Sequence, residues 1–153
     1  MGRRRVPAEQ RFLDSLREDP GGCLTWIGAM TTQGYGRLNS GGNRRLAHRY
    51  AWERVHGPIP PGMSVDHACH NTACCNVEHL RLATHAQNMR NRNGAHKNSK
   101  TGVRGVSLHK GRYRVRVRIN GSSPTLGWFD SLAEATAVAE RAREEAYGEF
   151  AGK

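Results

Sequence analysis

The sequence contains no uninterrupted apolar run that approaches the roughly 20 residues a membrane-spanning helix requires. Its basic first five residues are followed by Val6-Pro7-Ala8-Glu9-Gln10 rather than by the longer apolar segment of a secretory signal peptide. These two absences predict a soluble chain that stays in the cytoplasm and does not act at a membrane.

Acidic residues are also scarce, because 13 Asp plus Glu stand against 24 Lys plus Arg and the formal net charge is +11. Such an excess is typical of a protein that binds a polyanion, and nucleic acid is the first candidate. Aromatic residues are few, with three Phe, three Trp and four Tyr. Because single-stranded RNA is bound by stacking on exposed aromatic side chains, this shortage favours DNA over RNA as the partner.

Only four cysteines are present, and a reducing cytoplasm makes metal ligation a better use for them than disulfide bonds. Cys69, Cys74 and His79 follow one another at intervals of five residues in a short polar segment. Thiolate and imidazole ligands suit tetrahedral zinc, which would hold a small domain together. Cys23 is the natural fourth ligand, with Cys75 and His70 as competitors.

Hydrophobic patterning and turn residues predict an α+β chain of two small domains, with the first at residues 1–92, a basic linker at 93–100 and the second at 101–150. In the first domain we expect a helix at 7–17, a hairpin that pairs 23–27 with 35–38, a helix at 46–56 with Val55 turned inward, and strands at 63–67 and 80–82. Thr84 and Gln87 fit a capping box at the start of a third helix.

The second domain is predicted as a three-stranded antiparallel sheet with one helix. Residues 112–119 alternate strictly, so a strand would carry four arginines on one face and apolar side chains on the other. Asn120 and Gly121 are a hairpin turn signal, a strand follows at 126–129, and Ser131 with Glu134 suggests a capping box for a helix that ends near Tyr147.

Catalysis would need residues other than the zinc ligands, because a closed four-ligand zinc site has no position for water or substrate. His67 lies just before the cysteine segment beside Asp66, and Asn88 lies in the first turn of the helix after it. Phosphodiester hydrolysis needs a base that activates water and a cation that stabilises the leaving oxyanion. His67 fits the base, and the oxygen atoms of Asp66 and Asn88 fit Mg²⁺.

The segment from His48 to Asn88 resembles the HNH, or ββα-metal, endonuclease superfamily, and its His and Cys spacing is similar to the His-Cys box homing branch. The resemblance implies a zinc-stapled ββα-metal core, with His67 as general base, Asp66 and Asn88 on a catalytic Mg²⁺ or Mn²⁺ ion, and a structural zinc. The implied zinc ligands are Cys23, Cys69, Cys74 and His79. Arg49, chosen over Arg44 and Arg45, would contact the scissile phosphate. Asn76-Val77 stands where the related proteins commonly have Asn-Pro, which affects only the expected turn.

Residues 101–106 and 127–135 resemble the AP2 domain, which binds DNA through its sheet, and the likeness covers roughly residues 99–150. It implies DNA contacts from basic side chains of the sheet, namely Arg104, Lys110, Arg112, Arg114, Arg116 and Arg118. Trp128 and Phe129 are expected in the core, with stacking of these rings on DNA as the alternative.

Together these features predict a site-directed endonuclease of the homing or phage type that hydrolyses double-stranded DNA in a bacterial or phage-infected cell. Two copies on the DNA would be needed if both strands were cut by a chain with one active site. The alternative is a zinc-stabilised transcriptional regulator that binds DNA without cutting it. A regulator has no use for Asp66, His67 and Asn88, and these three residues therefore favour the enzyme.

Overall fold

The computed structural model describes residues 6–152, so the basic residues 1–5 considered above lie outside the described part. Contacts divide the chain into two compact units, with the division between His85 and Ala86. The linker at residues 93–100 was proposed from composition, and that boundary stays a prediction. Within residues 6–152 no helix is long and apolar enough to cross a membrane.

The first unit consists of three antiparallel strand pairs and two helices. Its elements are α1 (Ala8–Asp14), β1 (Leu16–Glu18), β2 (Leu24–Trp26), β3 (Arg37–Ser40), β4 (Asn43–Leu46), α2 (Ala47–His56), β5 (Met63–His67) and β6 (Leu80–Thr84). The pairs are β1 with β2, β3 with β4, and β5 with β6. A 3-10 turn at Val77–His79 precedes β6, and the short helix α3 (His85–Arg90) follows it.

One apolar core joins these elements and thereby sets α2 against β5. It contains Phe12, Trp26, Leu38, Ala47, Ala51, Val65, Cys75 and Leu80. Gly36 permits the close packing, because a Cβ atom there would lie 2.6 Å from the Trp26 ring and 2.9 Å from the Ala47 Cβ. Helix α2 and strand β5, which carries the candidate base His67, are therefore fixed by the same core.

The pairing predicted for the N-terminal part is wrong. The first helix ends at Asp14, and Leu16–Glu18 forms a strand that pairs with β2 in place of residues 35–38. Strand β3 pairs instead with β4 across Gly41 and Gly42, whose φ angles of 59° and 83° suit a tight two-residue hairpin turn. Val55, expected in the core, is 62% exposed.

The predictions for the central segment are confirmed. Helix α2 occupies Ala47–His56, and β5 and β6 pair along their whole length from Met63↔Thr84 to His67↔Leu80. Helix α3 begins at His85, directly after β6, as expected. The loop between β5 and β6 contains the predicted zinc ligands, apart from Cys23.

The second unit is the predicted three-stranded sheet and helix. Strands β7 (Val106–His109), β8 (Arg112–Arg116) and β9 (Thr125–Phe129) pair antiparallel in that order, and α4 (Leu132–Tyr147) packs on the sheet. The core forms where Ala135 and Ala139 of α4 meet Val106 and Val115.

Two details of the second unit differ from the prediction. Strand β8 ends at Arg116, where its register with β9 shifts, and does not continue to Ile119. Ser131 is the N-cap residue of α4, but its side chain makes no capping hydrogen bond, so the predicted capping box does not form.

Candidate functional site

Four side chains form a cluster of metal-binding type at the loop end of the β5–β6 hairpin. The ligand atoms of Cys23, Cys69, Cys74 and His79 all lie within 4.8 Å of one another. The Nδ1 atom of His79 is 3.5 Å from the Cys23 sulfur and 3.6 Å from the Cys74 sulfur. Zinc bonds of about 2.0–2.3 Å in a tetrahedron place ligands at about these separations. The cluster can hold a zinc ion, and Cys75 and His70 are outside it.

Backbone pairing explains why the distant Cys23 joins this cluster. Strand β2 runs beside the loop, so that the Cys75 amide donates to the Leu24 carbonyl at 2.8 Å and the Trp26 amide donates to the Ala73 carbonyl at 2.9 Å. The Asn76 side chain also donates to the Gly22 carbonyl at 2.8 Å. These bonds hold Cys23, the residue before β2, against the loop. The spacing of the cysteines alone does not reveal this contact.

Two thiols of the cluster, those of Cys69 and Cys74, have raised pKa values. Burial raises the pKa of Cys74 to about 12 and also raises the pKa of Cys69. Zinc has to displace these protons, because the thiolate is the form that binds the metal. Burial likewise raises the pKa of Cys75 to about 12, and the sulfur of this core residue lies 3.8 Å from the Ala73 carbonyl oxygen, to which it donates.

His67 is buried at the end of β5 and is oriented by the same loop. Its Nε2 atom is 3.0 Å from the carbonyl oxygen of Cys74. A carbonyl oxygen only accepts hydrogen bonds, so Nε2 carries the ring hydrogen and Nδ1 is the nitrogen that can take up a proton. The backbone of a candidate zinc ligand thus selects the tautomer that a general base needs.

Two further rings surround His67. The ring centroid of His48, from α2, is 4.7 Å away, and that of Tyr35 is 6.0 Å away. Burial, followed by the charges of His67 and Arg49, lowers the pKa of His48 to about 3. Burial lowers the pKa of His67 as well, against the opposing effects of the Cys74 carbonyl and Asp66. Both imidazoles are therefore neutral at pH 7.

Asp66 is buried and forms an ion pair across the hairpin. It is the cross-strand partner of Arg81, and the Arg81 Nε atom donates to its Oδ2 atom at 3.0 Å. No role was predicted from the sequence for Arg81 or for His48. The register that joins Arg81 to Asp66 could have been read from the two predicted strands, whereas the burial of His48 depends on tertiary packing.

The remaining predicted nuclease residues are exposed. Arg49 lines a cavity of about 240 Å³ together with Arg44, Arg45, Leu46 and Glu53, and Arg45 is paired with Glu53. Asn88 is exposed on α3 and belongs to the second unit. Its position as a cation ligand beside Asp66 stays a prediction from the sequence.

The predicted DNA-binding residues of β8 lie on the open face of the sheet. Arg114 pairs with Ser107 on one side and Trp128 on the other, and its guanidinium lies 5.6 Å from the centre of the Trp128 ring. Trp128 is 41% exposed, so it is not a core residue. Arg112 bonds to Asp130 at 2.7 Å and Arg116 to the Ser123 carbonyl at 3.0 Å, while Arg118 is exposed beyond the strand.

Two of the residues predicted to contact DNA, Arg104 and Lys110, lie outside the strands of the sheet. Lys110 is exposed in the β7–β8 turn, with a φ angle of 49°. Arg104 is half-buried, and its guanidinium donates to the carbonyls of Arg90, Arg92 and Ala151. Arg104 thus ties the end of α3 to the C-terminal part of the second unit.

Part of this chain is similar to known proteins. Residues 45–90 match the family model described as HNH endonuclease. The chain is 39% identical to protein 7.7 of Escherichia phage T7 over 43% of its own length and 51% of that protein. It is 42% identical to the uncharacterized gene 5.3 protein of Enterobacteria phage T3, over 40% of this chain and 68% of the relative.

A further relative is an uncharacterized HNH endonuclease of Acanthamoeba polyphaga mimivirus, 32% identical over 68% of this chain and 54% of that protein. The chain thus spans about half the length of the T7 and mimivirus proteins. No solved structure matches it. The matched segment includes α2, the β5–β6 hairpin with three of the four clustered ligands, and α3, so this part of the chain is similar to the HNH endonuclease family.

Proposed function

We propose that this chain is a metal-dependent DNA endonuclease of a phage or homing type. The observation that carries the proposal is the bond between His67 Nε2 and the carbonyl of Cys74, a member of the metal-binding cluster. It leaves the Nδ1 atom of a buried, neutral imidazole as the proton acceptor. A DNA-binding regulator would need the cluster but not this arrangement.

In the proposed reaction His67 takes a proton from water through Nδ1, and the water oxygen attacks the phosphorus atom. The bond between phosphorus and the leaving oxygen then breaks, and the leaving oxygen gains a proton from solvent. Asp66 and Asn88 would hold a Mg²⁺ or Mn²⁺ ion, which supplies positive charge for the leaving oxyanion. Arg49, exposed beside Arg44, is our candidate for the contact with the scissile phosphate.

Zinc has a structural role in this proposal. The four ligands of the cluster come from the residue before β2, the hairpin loop and the 3-10 turn, so one ion would join three segments. Because the Cys74 carbonyl holds His67, loss of zinc would also release the base. Zinc removal should therefore abolish activity even though the ion does not touch the substrate.

The second unit would bind the double-stranded DNA in the manner of an AP2 domain. Arg112, Arg114 and Arg116 alternate along β8, so they share one face, and Trp128 lies next to Arg114 on that face. Arginine side chains can contact both phosphates and guanine edges in the major groove. Lys110 and Arg118 extend the basic surface, whereas the bonds of Arg104 to three carbonyls favour a structural role.

The test is cleavage of supercoiled plasmids that carry fragments of phage genomes, in the presence of Mg²⁺, Mn²⁺ or EDTA. We expect nicked or linear product only with a divalent ion, and loss of product in Asp66→Asn and Asn88→Ala with zinc content unchanged. Tight binding of the same DNA without cleavage under any metal condition would overturn the proposal and favour the regulator.

A further inference from the structure

The ion pair between Arg81 and Asp66 is more buried than the pairs Arg112–Asp130 and Arg54–Glu9. The exposed fractions of the two side chains are 16% and 7%. The corresponding values are 51% and 82% for Arg112 and Asp130, and 35% and 59% for Arg54 and Glu9. A buried charge interacts with its partner much more strongly than an exposed one, because less water screens the pair.

The geometry fixes which atoms are involved. Asp66 and Arg81 are direct cross-strand partners in the β5–β6 hairpin, and the Arg81 Nε atom donates to Asp66 Oδ2 at 3.0 Å. A carboxylate oxygen that accepts a charged hydrogen bond is a weaker ligand for a cation. A guanidinium at this distance also repels any divalent ion that approaches the carboxylate.

We propose that Arg81 controls the access of the catalytic cation to Asp66 and thereby couples cation binding to DNA binding. This inference rests on the proposed function, in which Asp66 is a cation ligand. In the free protein Arg81 holds the carboxylate and keeps cation affinity low. When DNA binds, a backbone phosphate takes the guanidinium, since arginine and phosphate form strong charge-assisted bonds, and Asp66 is released to the cation.

Thermodynamic linkage makes the coupling measurable from either side, because DNA must raise cation affinity by the factor by which the cation raises DNA affinity. The experiment uses the full zinc-loaded chain with His67→Ala, so that the duplex is not cut. Mn²⁺ binding to the free protein is measured by electron paramagnetic resonance. Duplex affinity is measured by fluorescence anisotropy with Mn²⁺ and with EDTA at equal ionic strength.

We expect Mn²⁺ to tighten duplex binding by about tenfold, within the range typical of coupled sites. Arg81→Met should bind Mn²⁺ more tightly than the parent in the absence of DNA, and its duplex affinity should respond to Mn²⁺ by less than about twofold. Arg81→Lys keeps the charge and should retain most of the coupling. Arg54→Met removes the charge of an exposed pair in the first unit and should leave the coupling unchanged.

Equal or weaker Mn²⁺ binding by Arg81→Met, with the tenfold response retained, would overturn the inference, because Arg81 would then only stabilise the hairpin. If Arg81→Met does not fold, Arg81→Gln removes the charge but keeps a donor for Asp66 and provides the same comparison. Asp66→Asn separates the two proposals. Mn²⁺ binding that is unaffected by Asp66→Asn would overturn the cation site of the proposed function, and the inference with it.

Discussion

His67 shows how a single residue depends on neighbours that are distant in sequence. Its tautomer is set by the carbonyl of Cys74, its ring lies against His48, and its pKa is lowered chiefly by burial. The choice of His67 as the candidate base could be made from the sequence, because the residue lies beside Asp66 and just before the cysteine segment. The contact with His48 was not, because it exists only when α2 packs against β5.

His48 provides a test of this packing through the pH dependence of stability. Burial lowers its pKa from 6.5 to about 3, so between these values the unfolded chain binds a proton that the folded chain does not. The free energy of unfolding must therefore fall as the pH falls through this range, by up to about 1.4 kcal/mol per pH unit.

We predict that His48→Phe, which keeps a flat ring but cannot be protonated, loses this part of the acid sensitivity. Urea denaturation of both proteins from pH 7 to pH 4 would show wild type losing stability relative to the variant. If the free energy of unfolding changed equally with pH in both proteins, the assignment of His48 as a buried neutral imidazole would be contradicted.

At the scale of elements, the segment around the zinc cluster was easier to predict than the N-terminal hairpins. Strands β5 and β6 have clear apolar patterns, and three ligands lie together in the loop between them. Leu16 and Arg17 were assigned to a helix because Leu16 continues the spacing of Phe12 and Leu13. Their pairing with β2 is a long-range preference that local patterning does not contain. The Gly41-Gly42 turn between β3 and β4 was a local signal that was overlooked.

The cluster of Cys23, Cys69, Cys74 and His79 leads to a prediction about two neighbouring buried cysteines, Cys74 and Cys75. Cys74→Ser removes one of the four ligands, whereas Cys75→Ala changes a neighbour whose sulfur is outside the cluster. Zinc binding is worth about 10 kcal/mol or more in small zinc domains, so the first variant should lose both the ion and the folded first unit.

Metal analysis and the indole N–H signals of Trp26 and Trp128 would measure this. We expect Cys74→Ser to lose the ordered Trp26 signal, in which the indole N–H donates to Ala29, while Trp128 in the second unit is retained. Cys75→Ala should keep one zinc ion per chain. Loss of zinc from Cys75→Ala alone would show that the wrong cysteine was assigned.

In the second unit, we predict that substitution of Arg114 weakens DNA binding, whereas substitution of Arg104 lowers stability. Arg114→Met removes a charge from the open face of the sheet and should weaken duplex binding, with the slope of log affinity against log salt reduced by about 1 if Arg114 contacts a phosphate. Arg104→Met removes donors to three carbonyls and should lower stability by about 1–3 kcal/mol with the salt slope unchanged.

Salt titrations of duplex affinity and urea denaturation of the two variants distinguish these roles. A lower salt slope in Arg104→Met, without a loss of stability, would show that Arg104 contacts DNA as the sequence resemblance implied.

At the scale of the whole molecule, the net charge of +11 and the concentration of basic residues between 88 and 118 explain why a polyanionic partner could be predicted at once. The three-stranded sheet and helix of the second unit, with alternating arginines on β8, were also predictable in outline. Catalysis and much of the DNA binding are assigned to different parts of the chain, so a change in the base should abolish cleavage without loss of affinity.

The most direct test is the single-turnover rate of plasmid cleavage by wild type, His67→Ala and His56→Ala, with duplex affinity and zinc content measured on the same samples. His56 is an exposed histidine at the end of α2 and serves as the control. We predict that His67→Ala is slower by about 10²–10⁴-fold, with affinity, zinc content and the His56→Ala rate close to those of wild type. Cleavage by His67→Ala at the wild-type rate would contradict the assignment of His67 as the general base.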